Sequence, residues 1–262
     1  MGKYFGMAKK IISMRYSQFF AYRLAAFTRI MTDLFHNLIQ PLLLLFLYQA
    51  TKGIPGWTVS EIIIFNGTGI ISWGIASTFF FPMVWFIGWR IDHSHFDILL
   101  LRPVKMIPQM IAESIHIYSI PDLITGIVIL IIGLRSLDYN LTIIGIISFI
   151  YLIILNGLVM YGIAGIIIGL SFKYYKTHNF VELFWNLDKL SDQPLNIYNN
   201  IIPFIITFIF PIAIANYYPA SFLLGKLTEF TTLLTLTLVS LGFTLLGTIS
   251  IKYGLKHYTS AG

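Results

Sequence analysis

The chain of 262 residues contains no cysteine, which excludes disulfide bonds and thiol chemistry. Charge is scarce. Charged residues make up 11% of the sequence against 57% hydrophobic residues, and they fall in short clusters between long apolar runs. No segment is long and polar enough to form a separate soluble domain. The phosphate-binding spacing G-x-x-x-x-G-K-[ST] does not occur. Gly225 and Lys226 are adjacent, but Leu227 follows and no glycine stands five residues before Gly225. ATP hydrolysis by that route is excluded, so an ATP-driven activity would need a second polypeptide. There is no internal repeat of the kind on which many secondary transporters are built. Nor is a cleavable signal peptide expected, because Lys3, Lys9, Lys10 and Arg15 interrupt the start and no small-residue cleavage site follows.

What is present is a series of long apolar runs. A bilayer core about 30 Å thick is crossed by roughly 20 apolar residues in a helix. Runs of that kind cover Ile30–Ala50, Ile62–Gly88, Ile107–Leu134, Leu141–Phe172 and Phe230–Ile251. The stretch between the last two is harder to divide. Ile201–Ala215 is strongly apolar but short, and Pro203 and Pro211 interrupt it. Phe180–Tyr198 is longer but carries Glu182, Asp188, Lys189 and Asp192. One crossing belongs here if both termini share a side, as one straight helix or as two short broken ones. The reading is an all-α polytopic membrane protein forming a single transmembrane domain over 1–262.

Basic residues set the orientation. With the N-terminus inside, thirteen Lys and Arg residues lie on the cytoplasmic side, including Arg90, Arg102, Lys105, Lys173, Lys176, Lys252 and Lys256. Only three, Lys52, Arg135 and Lys226, lie outside. Both termini are therefore expected in the cytoplasm. The net charge of +6 is explained by this flanking of spans, and nucleic acid is not an expected partner. Residues 3–23 interleave basic with bulky apolar side chains, among them Tyr4, Phe5, Ile11 and Phe19. That pattern suits a helix lying in the cytoplasmic interface better than a frayed terminus.

Four groups of polar residues are candidates for chemistry. The cluster Arg90-Ile-Asp-His-Ser-His-Phe-Asp97 is the densest. His93 and His95 with Asp92 and Asp97 offer metal-ligating types, but a His-x-His pair converges on a strand, and Leu99, Leu100 and Leu101 next to it suggest a helix or turn. A short docking helix with charged ends is the main reading, and no metal or cofactor is expected. In the first span Asp33, His36, Asn37 and Gln40 share one helical face. Such groups avoid lipid, and helix-to-helix hydrogen bonding is favoured over substrate contact. Asp122, after Pro121, lies roughly 18 Å from the outer end of the third span at 1.5 Å per residue. A proton or substrate site and a structural pair remain equal readings for it. Glu113 and His116 lie closer to the cytoplasm. Gly165 and Gly169 in the fourth span have the spacing that lets helices pack closely.

Several strings in order carry a family resemblance. They are Asp97-Ile-Leu-Leu-Leu-Arg-Pro103, Phe184-Trp185, Gln193-Pro-Leu-Asn-Ile-Tyr198, Asn216-Tyr-Tyr-Pro-Ala220 with Leu223-Leu-Gly225, and the ending Gly254-Leu-Lys-His-Tyr-Thr-Ser-Ala-Gly262. From about residue 90 onward the chain resembles the permease subunits of type-2 ABC exporters. The resemblance implies six transmembrane helices after an interfacial N-terminal helix. It implies a cytoplasmic coupling segment over 89–106, with Arg90, Asp92, Asp97, Leu100, Arg102 and Pro103 as the residues facing an ATPase. It also implies a broken re-entrant hairpin on the outer side over 200–226, with Phe180–Tyr198 as the fifth crossing. The working unit would hold two permease subunits, identical or related, and two separate ATP-binding subunits. One departure is Ser94, where glycine is usual before the aspartate.

The resulting expectation is a non-catalytic subunit of an ATP-driven exporter in the cytoplasmic membrane. Its substrate would be amphiphilic or apolar, because few fixed charges line the spans. An ion- or proton-coupled transporter using Asp122, Asp33 and Glu113 is the alternative, and a membrane enzyme comes third.

Overall fold

The computed structural model describes residues 10, 13, 14, 17, 21–50, 53–93, 95–137, 140–174 and 177–259. The expected interfacial helix over 3–23 lies for the most part outside them, and Ser94 and the last three residues lie outside them too. The described residues are helical throughout their long segments. The elements are α1 (Arg23–Ala50), α2 (Val59–Phe79), α3 (Pro82–Asp92), α4 (Asp97–Leu100), α5 (Met106–Glu113), α6 (Ile120–Arg135), α7 (Ile143–Tyr174), α8 (Thr177–Asp188), α9 (Ile201–Phe204), α10 (Tyr217–Leu223) and α11 (Phe230–His257).

Among the described residues, five helical segments are long and apolar enough to cross a membrane: α1, α2 with α3, α6 with the 3₁₀ turn before it, α7 and α11. Their outer faces carry the apolar residues. On α6, Ile124, Ile127, Val128 and Ile131 are exposed, while Asp122, Gly126, Ile129 and Gly133 are buried. On α11, Leu234, Leu238, Leu241, Leu245 and Ile249 are exposed, and Ser240, Gly247 and Gly254 are buried. A water-soluble helix buries its apolar stripe. These helices do the opposite, as a lipid environment requires.

Glycine brings the helices together in two pairs. In α2 and α6, a Cβ on Gly67 would stand 2.7 Å from the backbone of Leu130, and one on Gly126 would stand 2.7 Å from the backbone of Ile71. In α7 and α11, a Cβ on Gly165 would stand 2.9 Å from the backbone of Gly247. One on Gly254 would stand 2.5 Å from the carbonyl of Gly169. The Gly165–Gly169 spacing thus joins α7 to α11, and the small-residue seam runs from Gly162 to the end of the pair.

Two expected continuous spans are broken. The second span divides at Phe80–Phe81, where Pro82 starts α3. The third divides after Glu113, so α5 is separate and Asp122 stands in the first turn of α6. The breaks lie side by side and satisfy each other. The His116 amide donates to the Thr78 carbonyl at 2.9 Å, and the Ser119 hydroxyl donates to the Ser77 carbonyl at 3.3 Å. Backbone groups freed inside an apolar bundle need partners of this kind.

The segment between α7 and α11 joins the two ends of the molecule. At one end the Thr177 hydroxyl donates to Asp92 at 3.2 Å. At the other, Asn196 accepts from Tyr217 at 2.9 Å and lies beside Gly56, in the α1–α2 connection. Residues 177–197 therefore run the same distance as α2 and α3 together. The chain then turns back on itself. Ile201–Ile209 and Ile212–Leu223 meet at 86°. Their bend lies against the middle of α2, where Ser72 donates to the Ala215 carbonyl. Of the prolines expected to break this stretch, only Pro211 stands at the bend. Pro203 falls in the first turn of α9 and Pro219 in that of α10, where the missing amide hydrogen costs little.

Candidate functional site

At the end that carries Arg90, two anchors hold the segment between α3 and α5. The first is electrostatic. Glu113, 7% exposed, pairs through one carboxylate oxygen with Arg90 of α3 and through the other with Arg102. A buried carboxylate is stable only when its charge and lone pairs are met, and here two guanidinium groups meet them. The second anchor is aromatic. Phe96 is fully buried, with its ring 4.8 Å from Phe172 and 5.1 Å from Tyr258, both edge to face. Leu99 beside it is also buried.

These anchors turn the remaining apolar residues outward. Ile98, Leu100 and Leu101 are exposed, Leu101 by 84%. The short helix expected in this segment is limited to one turn. α4 is a single turn that ends at Leu100, Leu99 points inward, and Arg102, though exposed, pairs with Glu113. Asp97 begins α4, Asp92 accepts from Thr177, and Pro103 is exposed beyond the turn. His93 and His95 both lie against the Trp89 ring, at 4.7 and 5.4 Å. Among the described residues no group of three or more His, Cys, Asp or Glu could hold a metal.

The polar stripe of α1 divides between two tasks. Asp33 pairs with Arg29 one turn earlier, at 3.2 Å. Asn37 donates to Asp122 at 2.8 Å, which makes the structural pair with α6. The side chain of Gln40 lies outside the described residues. His36 and Asn37 also line a cavity of about 440 Å³. Its other walls come from Asn66 and Trp73 of α2, Trp185 and Asp188 of α8, Asp192 and Asn216. Trp73 and Trp185 pack edge to face at 5.0 Å, and Asn216 donates to the Ser191 carbonyl at 2.9 Å. Ile39, Leu43 and Ile70 add apolar wall to a partly open cavity in which half of the lining residues, Lys189 and Ser191 among them, are polar or charged.

A third cluster closes the end that carries Trp57. Lys226 reaches Glu61 at 2.8 Å, donates to the Gly56 carbonyl at 2.6 Å and lies 5.0 Å above the Trp57 ring. Glu61 also caps α2 with Thr58. Gly225, with φ of 68°, makes the turn that delivers Lys226.

Sequence reasoning missed Phe96, Tyr258, Trp73 and the Lys226 cluster. For the first two a signal existed: single aromatic rings inside otherwise polar segments. Trp73 and Lys226 gave none, because their partners are distant in the chain.

A model of the family described as ABC-2 family transporter protein matches residues 16–262. No curated protein and no solved structure matches.

Proposed function

From the premise that this chain belongs to the ABC-2 family of transporter proteins, and is a multi-pass permease subunit, we propose that it is the non-catalytic half of an ATP-driven exporter. The observation that carries this reading is the pair of anchors beneath Ile98, Leu100 and Leu101. Apolar side chains held outward on a firmly tied segment, at the end richest in basic residues, form a docking face for an ATPase. Closure of the ATPase dimer would push on this face and be passed to α3 and α5 through Glu113.

In this reading the Arg90 end is cytoplasmic and residues 177–197 make the fifth of six crossings. Residues 201–223 dip from the outer side and return. The substrate is amphiphilic or apolar, and the cavity between α1, α2 and α8 receives it. Two permeases, identical or related, combine with two ATP-binding subunits in the cytoplasmic membrane. The proton-coupled alternative is weakened by the pairing of its three carboxylates: Asp122 with Asn37, Asp33 with Arg29, and Glu113 with two arginines.

The test is purification with and without the cognate ATPase. The chain alone should hydrolyse no ATP, and the co-expressed ATPase should co-purify with it. Hydrolysis by the isolated chain, free of contaminants, would overturn the reading.

A further inference from the structure

Tyr258 follows the last helix directly, in a segment whose basic residues invite a purely topological reading. Its ring does something more specific. It packs edge to face on Phe96 at 5.1 Å and on Phe172 at 5.7 Å, while those two rings meet at 4.8 Å. Three rings from three distant parts of the chain close on one another. Phe96 belongs to the docking segment, Phe172 to the end of α7, and Tyr258 to the exit from α11.

The surroundings give this cluster mechanical meaning. α7 and α11 are joined along their length by backbone approach at Gly162, Gly165, Gly169, Gly247 and Gly254. Such a seam leaves little room for one helix to slide against the other, so the pair moves as one body. α2 and α6 form a second pair of the same kind through Gly67, Gly126 and Gly133. The ion pairs of Glu113 tie the docking segment to α3 and α5, and α3 both continues α2 and packs on α7. The ring cluster is the anchor that ties it directly both to α7, through Phe172, and to the exit from α11, through Tyr258. The cavity has its walls on both sides, with Trp73 from α2 and Met160 from α7.

We propose that Tyr258 and Phe96 are positioning residues for coupling: the C-terminal exit locks the docking segment to the α7·α11 pair, so that one displacement by the ATPase drives both helix pairs. This rests on the exporter reading above, and the tests are arranged to fail separately.

The absence of native cysteine makes spin labelling clean. In the purified chain alone, labels at Leu101→Cys and Lys252→Cys should give a single narrow distance distribution. Tyr258→Ala should broaden it at least twofold. Tyr258→Phe, which keeps the ring, should restore the narrow distribution. An unchanged distribution in Tyr258→Ala would overturn the lock, whatever the partner proves to be. In the complex with its ATPase, labels at Val59→Cys and Phe230→Cys report the first turns of α2 and α11. Trapping ATP with vanadate should shift that distance in wild type and in Tyr258→Phe. In Tyr258→Ala the ATPase should still co-purify and still trap nucleotide, while the shift falls at least twofold, since Phe96 keeps its contact with Phe172. A full shift in Tyr258→Ala would overturn the coupling role. So would loss of ATPase binding, because the tail would then be part of the docking face. Failure of the wild-type complex to form would count against the exporter reading alone.

Discussion

At Glu113 a single buried carboxylate holds Arg90 and Arg102, which lie on different elements. Removing its charge leaves two guanidinium groups facing a neutral amide. Breaking a buried pair costs several kcal/mol, but both arginines retain access to solvent, so the lower part of that range applies. Glu113→Gln should destabilise the protein by about 2 kcal/mol, read as a lowered thermal midpoint in detergent. Arg102→Ala should cost less, because Arg90 still compensates the carboxylate. Equal midpoints for Glu113→Gln and wild type would show that the pair carries no stability. At Leu100 the expectation is reversed. Its side chain is half exposed and touches no core, so Leu100→Asp should leave stability and insertion unchanged. A charge placed in an apolar docking surface costs several kcal/mol. ATPase co-purification should therefore fall at least tenfold. Normal co-purification with normal expression would mean that the docking face lies elsewhere.

The helices themselves depend on where glycine meets backbone. Within α11, Gly247 and Gly242 make a matched comparison. A Cβ on Gly247 would stand 2.5 Å from the Gly162 carbonyl, and backbone cannot yield as a side chain can. A Cβ on Gly242 meets nothing within 4 Å. Gly247→Ala should destabilise by about 1–3 kcal/mol through overpacking. Gly242→Ala should be neutral or stabilise by up to about 1 kcal/mol through helix propensity. The check is thermal unfolding of the two variants in the same detergent, and similar midpoints would refute the close seam. The breaks at Phe80–Phe81 and Ser114–His116 belong to the same scale. Each would be costly alone in an apolar environment, and each is tolerated because the other supplies its partner. Sequence signals stand at both, Pro82 at the first and Glu113, Ser114 and His116 at the second, but neither run by itself shows that the two breaks meet.

For the whole molecule, the orientation of the bundle is the property from which the rest follows. The cysteine-free chain allows single labels on each side. Asn140→Cys, in the α6–α7 connection, should react with a membrane-impermeant maleimide in intact cells. His95→Cys should react only after permeabilisation. The reverse pattern would invert the arrangement and place the docking face outside. The Lys226 cluster would then lie on the ATPase side, against the distribution of basic residues.

The one-dimensional pattern of this sequence was enough to establish a polytopic helical membrane protein, most span positions, and the bias of charge between the two ends. Those properties depend on hydropathy over about 20 residues and on charge beside each span, both of which are local. It also marked the polar segment from Arg90 to Lys105, because a polar interruption between apolar runs is local too. Partnership was another matter. That Asn37 meets Asp122, that Glu113 binds two arginines, that Tyr258 closes on Phe96, and that Trp73 faces Trp185 depend on residues 11 to 162 positions apart in sequence being brought together by the packing of the helices. Packing decides such contacts, and packing is a property of surfaces that exist only once the helices have assembled.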